Sequence, residues 1–152
     1  MKMRHSIIAL LFSFITSVSF AQIQQRVNLN WEAPATLAMG NDSAVKAPSF
    51  AGAQFNGLPV NILPSYFQRM ALPAGVKTAE VRIDQIVYTP LTATDRLLLG
   101  TTPIPQEAVP AVQVMLERGK PQAVFTLTPF GTDPATGQLS KIASFTFYID
   151  YT

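Results

Sequence analysis

Glu80 and Asp84 fall on one face of the alternating run Ala79–Tyr88, and this carboxylate pair is the one to test for acid–base chemistry at a glycosidic bond. Four residues of strand at about 3.3 Å each set them roughly 13 Å apart, beyond the roughly 5–9.5 Å that retaining and inverting mechanisms use. Arg82 stands between them, so the face reads as a solvated ladder of alternating charge. The other carboxylates are scattered singly and offer no calcium-type cluster. Histidine occurs once, at His5, and cysteine is absent. A Ser-His-Asp triad, a Cys-His dyad, a zinc–thiolate centre and an imidazole base all need a residue that the chain after position 5 lacks. No catalytic, metal-binding or cofactor-binding residue is assigned. The expected class is a binding, docking or structural domain.

The first residues read as a leader. Lys2 and Arg4 form a basic start, Ile7–Thr16 an apolar run, and Ser-Phe-Ala ends at Ala21 with small residues at the −3 and −1 positions. Export with cleavage after Ala21 is the expectation. Residues 22–152 then form one domain of ordinary size. The formal charge of +2 is carried by the leader: without Lys2 and Arg4, nine basic residues face nine acidic ones. A neutral chain has little electrostatic support for binding nucleic acid. With no cysteine, the core alone must hold the fold.

The elements that follow are mostly strands, separated by twelve prolines and eight glycines. Ile23, Val27, Leu29 and Trp31 alternate with polar neighbours as an opening strand, and Asn41-Asp42-Ser43 reads as a turn. Residues 47–59 are expected to be irregular, and 61–72 extended between Pro64 and Pro73. In Ala79–Tyr88 the apolar parity shifts from Val81 and Ile83 to Ile86 and Tyr88, which predicts a bulge near Gln85. Thr92–Gly100 carries a capping-box spacing through Thr92 and Asp95, and predicts one short helix ending at Gly100. Thr101–Pro110 is expected to be irregular. Val112, Val114 and Leu116 alternate as a strand, with a helix begun at Pro110 as the alternative.

Arg118–Pro121 reads as a turn into a strand over Ala123–Thr128. Asp133–Gly137 has the residues of a type I turn followed by a left-handed glycine. It is expected to hairpin a long half-buried strand, Leu139–Tyr151, onto Ala123–Thr128. Phe145, Phe147, Ile149 and Tyr151 would then form an apolar face on a last strand with nothing to blunt its edge. The predicted fold is mainly β: an antiparallel β-sandwich or barrel-like domain with one short helix.

Two surface features stand out. Phe50, Phe55, Tyr66 and Phe67 are the candidate ligand or partner surface, although core packing is the commoner use of phenylalanine in a β domain. Ser43 is the candidate glycosylation site, because Asp42-Ser43-Ala44 resembles, at the level of lineage, the Asp-Ser-small-apolar pattern of bacterial periplasmic O-glycosylation. Asn41-Asp42-Ser43 is also an acceptor-like Asn-x-Ser.

The order of several segments resembles a known family. They are Val27–Trp31, Lys46–Phe50 leading to Gly52 and Phe55, and Val81–Tyr88 running into Thr92–Leu98. Phe125–Phe130 and Lys141–Phe147 complete the set. Together they resemble the amino-terminal region of the PorU-type sortases of the Bacteroidetes type IX secretion system. More loosely they are similar to the prodomains of gingipain-type cysteine peptidases. The resemblance implies a β-rich region that precedes a caspase-like catalytic domain with a Cys and a His, working in the periplasm or at the outer-membrane cell surface beside outer-membrane secretion partners. It rests on packing and turn residues, so no catalytic residue carries over. It further implies a domain cut from a longer protein, which packs against, gates or docks the downstream peptidase domain. The alternative is a stand-alone exported binding module.

Overall fold

Period-two alternation broken by proline favours short antiparallel strands, and these strands build the molecule. The computed structural model describes residues 21–152 apart from Asn41 and Pro59, so the expected leader up to Phe20 lies outside the described residues. The strands are β1 (Ala21–Asn28), β2 (Trp31–Ala38), β3 (Ala44–Phe50), β4 (Tyr66–Ala71) and β5 (Ala79–Pro90). After the helix α1 (Ala93–Leu99) come β6 (Ala111–Glu117), β7 (Lys120–Leu127), β8 (Phe130–Thr132) and β9 (Leu139–Tyr151). One sheet runs β1-β9-β5 with β8 also on β9, a second runs β4-β7-β6, and β2 and β3 form a ribbon. Every pairing is antiparallel.

The two larger sheets face each other across aromatic residues. Phe145, Phe147 and Ile149 of β9 are fully buried, as are Ala123 and Phe125 of β7. Phe125 stacks on Phe147 with ring centroids 4.7 Å apart and planes 17° apart. Each buried side chain of this size stabilises the fold by about 1.5–3 kcal/mol. Val27, Leu72 and Leu127 complete the same core. Among the described residues the mainly β, antiparallel expectation with one short helix therefore holds, as two packed sheets and a ribbon.

Several local expectations hold for the reasons that motivated them. The register of β5 on β9 shifts between Asp84 and Val87, and Gln85 takes a φ of 51°. The parity shift in the sequence is this bulge. Thr92 caps α1 by accepting from the Asp95 N–H, and the Asp95 carboxylate accepts in turn from the Thr92 backbone N–H. Residues 111–117 are strand, which excludes the helical alternative at Pro110.

Four expectations are corrected. The opening run 23–31 is split between two sheets, β1 pairing with β9 and β2 with β3. Residues 47–50 are not irregular but end β3. Pro48 is tolerated because β2 and β3 form a two-stranded ribbon and their register breaks between Glu32 and Ala35. The turn at Asp133–Gly137 joins β8, not β7, to β9. Pro129 interrupts the chain after β7, so Phe130–Thr132 leaves that sheet to join the other.

Lastly, β9 is neither half-buried nor an edge. β5 pairs along one side of it, while β1 and β8 share the other. Much of its second face, namely Ser140, Ile142, Ser144 and Thr146, is buried as well.

Candidate partner surface

The four candidate aromatic residues have different surroundings. Phe50 is 2% exposed and meets Trp31 edge-on at 5.2 Å. Tyr66 packs edge-on against Phe125 and Phe145, and burial pushes its phenol pKa up. Its hydroxyl donates to Gln68 Oε1. Phe67 points from the opposite face of β4, where the Arg69 guanidinium lies 5.5 Å from its ring centre. Phe55 is half-buried in the segment between β3 and β4. Among the described residues no aromatic pair joins two of the four. Phe50 and Tyr66 belong to the core between the sheets, so the structure does not gather the set into one groove.

Ser43 is exposed at the β2–β3 turn, and its hydroxyl donates to the Gly40 carbonyl at 2.9 Å. The adjacent Asp42 has a φ of 59°, as a tight turn requires, while Asn41 lies outside the described residues. Glu80 and Asp84 pair with Asp150 and Thr146 across the β5–β9 ladder. Arg82 sits 3.7 Å above the Tyr148 ring. Among the described residues no group of three His, Cys, Asp or Glu side chains could hold a metal ion. Among the same residues no helix is long and apolar enough to cross a membrane.

Two polar constructions hold the surface elements in place. At α1, Lys141 Nζ lies 2.7 Å from Asp95 Oδ2, with both side chains nearly buried. The same ammonium stands 4.7 Å over the Trp31 ring. Burial raises the Asp95 carboxyl, but hydrogen bonds from Lys141 and Thr92 outweigh it and leave the pKa below the ordinary value. Along the bulge, Arg26 donates to the Gln85 carbonyl at 2.9 Å and to Ser144 Oγ at 2.6 Å, while Thr146 donates to Gln85 Oε1 at 3.0 Å. These bonds close the second face of β9.

Open surfaces lie beside α1 and at the end of β6. Leu91, Leu99, Ile104 and Leu139 line a cleft of about 450 Å³ beside α1, where Arg96 is the charged residue. At the end of β6, Met115 and Leu116 are 50% and 74% exposed. Two neighbouring exposed apolar residues break the period-two pattern of a half-buried strand. That break was the available sequence signal for this surface, and the alternation of Val112, Val114 and Leu116 obscured it.

No family model matches this sequence, and no curated protein matches it. Solved structures share its fold. One concerns the zymogenic latency of gingipain K from Porphyromonas gingivalis, with TM-score 0.60 and 17% identity over 90% of each chain. Another is the complex of the pro- and mature domains of RgpB from the same organism. There the TM-score is 0.56 and the identity 10%, covering 90% of this chain and 82% of that one. At such identities the likeness is one of fold, and that fold is gingipain-prodomain-like.

Proposed function

We propose that this chain is a non-catalytic, prodomain-like domain that packs against a gingipain-type cysteine peptidase domain and restrains it. The observation that carries the reading is the shared fold, which spans nine-tenths of both this chain and the gingipain K chain. The sequence agrees with it. After position 5 there is neither the cysteine nor the histidine that such a peptidase uses, so chemistry would belong to the partner domain.

In its narrower form the proposal places the domain at the amino terminus of a PorU-type sortase. It would be exported through the leader at residues 1–21 and would work in the periplasm or at the outer-membrane surface beside type IX secretion partners. The segments from Val27–Trp31 to Lys141–Phe147 support this form.

Association is the first test. Purified 22–152 mixed with a gingipain-type catalytic domain should co-elute as a one-to-one complex in gel filtration. Separate elution at concentrations well above micromolar would contradict the proposal.

A further inference from the structure

We propose that the open edge of β6 is a strand-addition site for an extended, acidic segment of a partner protein with apolar residues at alternate positions. This deepens the reading above by naming the part of the domain that would receive partner chain. In the sheet β4-β7-β6, β6 is outermost. Pro121 on β7 has no N–H, and its carbonyl accepts from Leu72 N at 3.0 Å, on the β4 side. Residue 121 thus turns its main-chain polar groups away from β6. In an antiparallel ladder its opposite number, Leu116, must then turn its own N–H and C=O to the open edge. Val114 and Val112 do the same at two-residue steps. These are the groups an added strand would bond.

Edge strands are normally blunted by proline, a bulge or charge. β6 contains no proline, and its register on β7 runs unbroken from Ala111 to Glu117. Its one charged residue, Glu117, faces Arg69 at 3.7 Å. The edge is also shaped on one face, where Val76, Lys77, Val114 and Leu116 line a recess of about 420 Å³. Side chains of an added strand alternate between faces, so every second residue would meet this recess.

Charge selects the occupant. Lys77, Arg118 and Lys120 are exposed around this end of the strand, and among the described residues none lies within ion-pair distance of a carboxylate. An acidic segment meets that surplus, whereas a basic one is repelled.

Fluorescence anisotropy with three labelled nine-residue peptides tests the proposal on the 22–152 chain. One peptide alternates valine with glutamate, one alternates valine with lysine, and one is the glutamate peptide N-methylated at alternate amides. The glutamate peptide should bind saturably and at least tenfold more tightly than either of the others. Leu116→Pro removes an outward N–H and should weaken binding at least tenfold. The triple variant Lys77→Glu, Arg118→Glu, Lys120→Glu should reverse the charge preference. No saturable binding, equal binding of the N-methylated peptide, or an unchanged preference in the triple variant would each overturn the proposal. Should Leu116→Pro fail to fold, the N-methylated peptide and the triple variant still decide it. Because no peptidase is present, failure here leaves the gel-filtration test of domain association standing, and the reverse is also true.

Discussion

Lys141 Nζ and Asp95 Oδ2 lie 2.7 Å apart beneath the face of Trp31, and this ion pair ties α1 to the central strand β9. Asp95 serves two purposes, since its carboxylate also accepts from the Thr92 backbone N–H at 2.8 Å. Removing it would leave a nearly buried ammonium uncompensated. Asp95→Ala should therefore cost about 3–5 kcal/mol. Combining Asp95→Leu with Lys141→Met should recover most of that loss. Urea denaturation of the three proteins checks both statements, and an Asp95→Ala variant as stable as the parent would refute the role.

The same pair sets an acid response. With its folded-state pKa below the ordinary 3.8, Asp95 contributes stability that is complete above that value. The contribution is lost as pH falls from 3.8 through the folded-state pKa. Asp95→Asn should accordingly flatten the stability profile below pH 3.8 while leaving its slope between pH 5 and 7 unchanged. Thermal melts of both proteins across that range provide the comparison.

At the β8–β9 turn, Gly137 adopts a φ of 68°, and an added Cβ would meet nothing within 4 Å. The cost of substitution is therefore conformational. Gly137→Val should destabilise by about 1 kcal/mol or more, and Gly137→Asn by less, because asparagine tolerates the left-handed region. Equal melting temperatures for the two variants would contradict this.

The Gln85 bulge gives a paired prediction. Arg26→Met removes the bonds to the Gln85 carbonyl and Ser144 Oγ and should cost about 1–2 kcal/mol. Gln85→Val, a β-branched residue forced to a φ of 51°, should cost more than Gln85→Gly, which adopts that conformation freely. Chemical denaturation of the three variants measures the ordering.

Where local residues decide, the sequence was readable. The parity shift at Gln85 needs only period two, and the Thr92–Asp95 cap needs only a three-residue spacing. What escaped depends on distant partners. Ser140, Ser144 and Thr146 have the look of a solvent-facing row, yet Arg26 and Gln85, far away in the chain, close over Ser144 and Thr146. The three residues of β8 are too few to show any period, so the turn at Asp133–Gly137 pointed to the stronger pattern of β7. Of the candidate surface, Phe50 and Tyr66 are large and apolar enough for either a core or a groove. The burial of Phe50 and the ring contacts of Tyr66 assign both to the core.

Inhibition kinetics test the central claim most directly. Increasing amounts of 22–152 would be added to an active gingipain-type catalytic domain while peptide-substrate cleavage is followed. The account predicts a saturable loss of activity that reaches completion near one equivalent at concentrations above Kd, with no cleavage by 22–152 alone. Undiminished peptidase activity at a large molar excess of the domain would contradict it.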